Sequence, residues 1–158
     1  MQNKLLLPHK WKRIGWIILI PSFVFGLYLI IFGIENVHLN ARTFAILDIE
    51  ILKDTKIFSF ISTNISATIA GSLFITGSLL VGFSKEKVED EFISNLRLTS
   101  LLWAVLVNYI LLLFAFLFIY GLPFFDVMVY NCFTILIFFI VRFNYVLYRN
   151  FKKAGREK

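Results

Sequence analysis

A single cysteine, Cys132, leaves no partner for an intramolecular disulfide and no thiol cluster for a metal. Histidine is nearly as scarce, with only His9 and His38. There is no H-E-x-x-H pair, no glycine-rich phosphate loop and no Cys-His arrangement, so metalloprotease, nucleotide-binding and thiol-nucleophile patterns are missing. No residue is therefore assigned a catalytic, cofactor-binding or metal-binding role, no cofactor is expected, and the reading is non-enzymatic. Glu35, His38, Asp48 and Glu50 come nearest to a metal group, but their spacing matches no ligand pattern and ordinary solvated loop charges explain them. A basic face interleaved with aromatics is also missing outside the apolar runs. The net charge of +6 therefore does not imply direct contact with nucleic acid.

What the chain has is apolar length. Of its 158 residues 59% are hydrophobic and 19 are Phe, a composition that makes the bilayer the solvent for most side chains. Four runs, Ile14–Ile34, Phe58–Phe83, Leu98–Tyr120 and Val127–Tyr148, each reach the roughly 20 residues that a spanning helix needs. The expected fold is an all-α membrane protein: one integral-membrane domain over residues 1–158, four transmembrane helices in an antiparallel bundle. The first run follows a basic stretch, but it exceeds the usual 7–15-residue signal core and lacks a small-residue cleavage site, so it reads as a retained anchor. Trp11, Trp16, Tyr28, Tyr120, Tyr145 and Tyr148 mostly fall near run ends, as interface anchors do.

Charge sets the expected orientation. Lys4, Lys10, Lys12 and Arg13 precede the first run, and Arg149, Lys152, Lys153, Arg156 and Lys158 follow the last. With both termini cytoplasmic, Lys85, Lys87 and Arg97 join them inside, against Arg42, Lys53 and Lys56 outside. Positive residues favour the cytoplasmic side, so both termini are expected there. The clusters also attract anionic lipid headgroups.

The outer loop 35–57 alternates at Leu47–Ile51, which suggests a short extended segment or an interfacial turn. In the inner loop 84–97, Val88, Phe92 and Leu96 recur every four residues. This spacing predicts a short amphipathic helix leading into the third span, with Ser84 as N-cap and pairs Lys85–Glu89 and Lys87–Glu91. Gly121 and Pro123 are expected to stop the third helix, and Asp126 to cap the fourth.

Inside the runs the polar residues are few. The second run carries Asn64, Gly71 and Ser78 seven apart, with Ala67, Thr68 and Gly82 beside them. Ala67, Gly71, Ser78 and Gly82 read as a packing seam, since small residues let helices approach closely in lipid. Ala104, Asn108 and Ala115 form a second seam. Asn64, Asn108 and Asn131 are placed to bridge helices. Arg142 either snorkels to the inner headgroups or turns inward to a carboxylate of Glu89, Asp90 or Glu91.

The stretch Phe83-Ser-Lys-Glu-Lys-Val-Glu-Asp-Glu-Phe-Ile93, with Leu96-Arg97, Ser100-Leu-Leu-Trp-Ala104 and Val127-Met-Val-Tyr-Asn131, resembles a family of small four-span bacterial membrane proteins without an assigned activity. The resemblance extends from about residue 10 to residue 150 and implies the bacterial cytoplasmic (inner) membrane. The chain also looks like small four-span bacterial proteins with an acidic stretch before the third span, some encoded beside helix-turn-helix regulators. This implies a regulatory role. The expected function is thus a regulatory or partner-binding membrane component. Its contact surface would be the 84–97 segment, with Glu86, Glu89, Asp90, Glu91 and Arg97 facing a cytoplasmic protein. The alternative is a homo-oligomeric channel or small-solute transporter lined by Asn64, Asn131 and Arg142, and a lipid-acting enzyme is a third reading.

Overall fold

The computed structural model describes residues 6–48 and 56–154. Among them the order is α1 (Lys10–Phe32), a 3-10 turn (Ile34–Asn36), β1 (Asn40–Asp48), β2 (Lys56–Asn64), α2 (Ser66–Gly82), α3 (Glu91–Phe118) and α4 (Leu122–Ala154). The protein is mostly helical with one small antiparallel sheet, β1 against β2. Helices α1, α3 and α4 are long and apolar enough to cross a membrane; α2 is apolar but has only 17 residues.

The sheet corrects the all-α expectation. The run Phe58–Phe83 is not one helix: its first seven residues belong to β2, and α2 starts at Ser66. Lys56–Asn64 is rich in β-branched and aromatic residues, which suit a pleated strand. Apolar content alone hid this, because a hydrophobic window does not distinguish period 2 from period 3.6. The register pairs Asn40 with Asn64, Phe44 with Phe60 and Asp48 with Lys56. The strand expected at Leu47–Ile51 overlaps only the end of β1, and Ile49–Ile51 lie outside the described residues.

The chain divides into two compact units, one taking in the sequence up to Leu19 and from Ile75 onward, the other Ile20–Phe74. In the first, α1 and α2 meet through glycine. A Cβ on Gly15 would lie 2.9 Å from the backbone nitrogen of Val81, and one on Gly77 would lie 2.8 Å from that of Leu19. Close backbone approach replaces the hydrophobic drive that lipid does not supply. Gly82 is equally tight against the ring of Phe139 in α4. Along α3, Ile93, Arg97, Ser100, Ala104, Asn108 and Ala115 are buried at helical spacing. Phe139, Ile140, Phe143 and Leu147 are the buried apolar residues of α4. The α3–α4 turn is short: Gly121 has φ +78° and α4 begins at the next residue. Pro123 therefore sits in the first turn, where it costs no hydrogen bond, and Asp126 lies exposed within the helix rather than at its cap.

In the second unit α1 continues through Pro21, the 3-10 turn follows, and the hairpin leads into the first part of α2. Phe23 and Phe74 bring their ring centroids to 6.2 Å. Asn64 ties the junction. Its Nδ2 donates to the carbonyls of Val37 (2.6 Å) and Ile34 (3.2 Å), and its Oδ1 accepts from the Ser66 backbone N–H (3.0 Å) and hydroxyl (2.6 Å).

Candidate functional site

The densest polar constellation among the described residues lies where α1 and α3 begin, on the loop 83–90 that joins α2 to α3. An amphipathic helix from Ser84 does not form there. The Ser84 hydroxyl instead donates back to the Leu80 carbonyl at the end of α2. Asp90 is the N-cap of α3, its carboxylate accepting from the Ile93 N–H at 2.8 Å, so helix geometry starts at Glu91 and the preceding residues are free to turn.

The loop is held by its backbone. Leu7 donates to the Phe83 carbonyl (2.9 Å) and accepts from the Lys85 N–H (2.8 Å). The Ser84 carbonyl accepts from Arg97 Nη2 (3.2 Å), and the Lys85 carbonyl is bonded by His9 Nδ1 (2.9 Å). Three consecutive carbonyls thus each have a partner, which is what backbone polar groups withdrawn from water require.

Two ion pairs complete the arrangement. Lys12, in the first turns of α1, pairs with Glu86 and donates to Asn144 Oδ1 of α4 at 3.3 Å. Arg97 Nη1 and Nη2 reach the two oxygens of Glu89 at 2.9 and 3.3 Å, and the second oxygen of Glu89 also accepts from the Glu86 N–H at 2.9 Å. Phe143 of α4 is buried beneath both cations, with Lys12 Nζ 5.7 Å and Arg97 Cζ 5.2 Å from its ring centroid. Both cations thus gain from the ring face in a low-dielectric setting.

This geometry corrects the expected contact face. Glu86, Glu89 and Arg97 are engaged within the protein, and Arg97 is buried. Asp90 and Glu91 are exposed. The expected pairs Lys85–Glu89 and Lys87–Glu91 require a helix that is not there. Arg142 does not take Glu89, which Arg97 holds; its guanidinium lies 4.5 Å from the Trp103 ring centroid. Asn108 and Asn131 do bridge α3 and α4, by reciprocal amide bonds of 3.0 and 3.3 Å. Asn64 is a junction residue at the end of β2 and not a mid-helix one. Of the expected seam, Ser78 and Gly82 are buried, Gly71 is half-buried and Ala67 is exposed. The heptad loses its first member because Asn64 is not helical, and the buried line runs instead through Ser66, Ala70, Phe74, Gly77 and Val81. Glu50, one of the outer-loop residues weighed as a metal ligand, lies outside the described residues.

Sequence reasoning missed His9, Lys12, Phe143 and Asn144 as members of this constellation. Lys12 was legible only as a topology charge. Phe139, Phe143 and Leu147 recur every four residues, a signal that could have marked the buried stripe of α4, but nothing local points a cation at it. A comparison with protein-family models, curated proteins and solved structures finds no significant match to this chain.

Proposed function

We propose that the protein is a four-pass membrane component without catalytic chemistry, with both termini cytoplasmic, and that the loop 85–91 docks a soluble regulatory partner. Crossing by α2 is supported at both of its ends. Glu86, after α2, pairs with Lys12 at the start of α1, and Asn64, before α2, bonds Ile34 and Val37 after α1. The chain that leaves by α1 thus returns by α2, and 17 residues rise about 26 Å, near the hydrocarbon thickness of about 30 Å. The basic residues gather at the end that carries the loop, which favours that end as the cytoplasmic one.

The observation that carries the docking role is the fixed loop itself. Ion pairs and backbone bonds tie it to the ends of α1 and α3, while Lys87, Val88, Asp90, Glu91 and Phe92 are exposed. A preorganised surface loses little entropy on binding. Glu86, Glu89 and Arg97 then act as supports for the contact and not as contacts.

A photo-crosslinking residue at Val88, in the full chain in its native membrane, tests this. A soluble protein captured in stoichiometric amount, and lost with Lys87→Glu together with Glu91→Lys, is the expected result. Capture of nothing, or of copies of this chain alone, rejects the docking role and leaves the membrane reading standing.

A further inference from the structure

One face of the β-hairpin is apolar and open. Arg42 and Phe44 of β1 and their partners Ser62 and Phe60 of β2 share it by register, Ile46 follows by strand alternation, and the Phe58 ring joins it against Phe44. Phe44 is 55% exposed, Ile46 65%, Phe58 67% and Phe60 66%, although the rings touch, with Phe44 centroids 5.4 Å from Phe60 and 6.2 Å from Phe58. Phe58 holds φ +52°, a conformation that costs a bulky L-residue about 1–2 kcal/mol, yet its ring stays in the patch. The Arg42 guanidinium lies 5.9 Å from the Phe60 centroid. A lone two-stranded hairpin is marginal in water, and one with an open aromatic face is poorer still.

We propose that this face is a membrane-interface foot. The hairpin lies flat on the bilayer at the end of α1 and α2 to which it is tied. Its phenyl rings sit at the boundary between headgroups and acyl chains, and Arg42 reaches lipid phosphates. The inference rests on the reading of α1 and α2 as spanning helices, and is independent of the docking loop.

Three observations favour a lipid surface over a protein. The first is the tether. Asn64 bonds the carbonyls after α1 and the first N–H of α2, and only Ile65 separates β2 from α2. The hairpin base is therefore held at the helix ends, where the bilayer surface is present whatever partners exist. The second is reach. The Phe44–Phe60 pair is four residues from the Asn40–Asn64 base, about 13 Å along a strand. The headgroup region on one side is only about 5–8 Å deep. An upright hairpin would carry the rings past the headgroups into water, whereas a recumbent one keeps them at the interface. The third is composition. Phenylalanine and isoleucine on one face with an arginine at its edge match an interfacial amphipathic surface, the apolar side chains in the headgroup–acyl boundary and the cation at the phosphates.

The test uses the full chain with Cys132→Ser and single cysteines at Phe60, Ile46, Thr63 or Leu106. Each is spin-labelled and reconstituted in phosphatidylcholine–phosphatidylglycerol vesicles. Collision with oxygen, which partitions into lipid, is compared with collision with a water-soluble nickel chelate. Thr63 is exposed on the opposite face of the hairpin, and Leu106 is exposed on α3. Labels at Phe60 and Ile46 are expected to favour oxygen several-fold over the label at Thr63, with Leu106 deepest. Nickel access at Phe60 and Ile46 with Leu106 shielded overturns the foot and leaves the spanning reading intact. Nickel access at Leu106 overturns both. A label at Phe60 that is immobile and shielded from both reagents, or broadened by a second copy, assigns the face to a protein and also rejects the foot.

Discussion

Arg97 stands in the second turn of α3, buried beside the loop that precedes it, and its chemistry explains why an arginine is there. Two of its nitrogens are divided between the Glu89 carboxylate and the Ser84 carbonyl, while the guanidinium also lies over Phe143. What holds the guanidinium is the sum of the fork and the ring. A lysine presents its three donors on one nitrogen, so it does not match the two carboxylate oxygens and the carbonyl with the separated nitrogens of the planar fork. Arg97→Met leaves the Glu89 carboxylate without its counter-charge, holding only the Glu86 N–H, and the Ser84 carbonyl without its donor, in a site where Arg97 and Glu89 are only 10% and 21% exposed. Losing one partner of such a pair costs about 3 kcal/mol, whereas removing both charges together costs much less. The expected outcome in a denaturant titration of the purified protein is thus a large loss for Arg97→Met and partial recovery for Arg97→Met with Glu89→Gln. A double variant as unstable as the single would show that Phe143 stacking, and not the ion pair, is what matters.

At the scale of the element, the glycines separate by what lies opposite them. Gly77 faces the backbone of Leu19, which cannot swing aside, while a Cβ on Gly26 would meet nothing within 4 Å. Gly77→Ala is expected to destabilise by about 1–3 kcal/mol through overpacking, and Gly26→Ala to be neutral or to gain up to about 1 kcal/mol from helix propensity. The same titration measures both, and equal effects would contradict the α1–α2 contact. The sequence announced that small residues on the second run pack closely, but placed the repeat from Asn64. The error came from the hairpin: Phe58–Asn64 is apolar enough to pass for the start of a span, and only its β-branched and aromatic composition signals a strand. The α3 seam was legible because Ala104, Asn108 and Ala115 lie wholly inside one helix. The loop before α3 was not, because two caps competed for one start. Asp90, with its bond to the Ile93 N–H, prevailed over Ser84, whose hydroxyl was already committed to Leu80.

For the whole molecule the proposed four-pass arrangement turns on α2, the apolar helix of 17 residues outside the three long spans. Length alone leaves it a few ångströms short of the hydrocarbon core, a mismatch that local thinning accommodates at a fraction of a kcal/mol per ångström. Connectivity adds a stronger constraint. If α1 crosses and α2 does not, the loop after α2 stays on the far side from Lys12, and the Lys12–Glu86 pair and the Leu7–Ser84 bridge cannot form. Four passes satisfy those contacts and also leave Lys85, Lys87 and Arg97 on the same side as the basic termini. Impermeant thiol labelling of intact cells decides between the two arrangements, starting from a Cys132→Ser parent. His38→Cys, exposed before the hairpin, is expected to label from outside without permeabilisation, and Lys87→Cys, exposed on the loop, only after it. Labelling of both from the outside would mean that α2 lies in one leaflet. The ion pairs around Phe143 would then have to break in the membrane, and the docking loop would face the wrong compartment for a cytoplasmic partner.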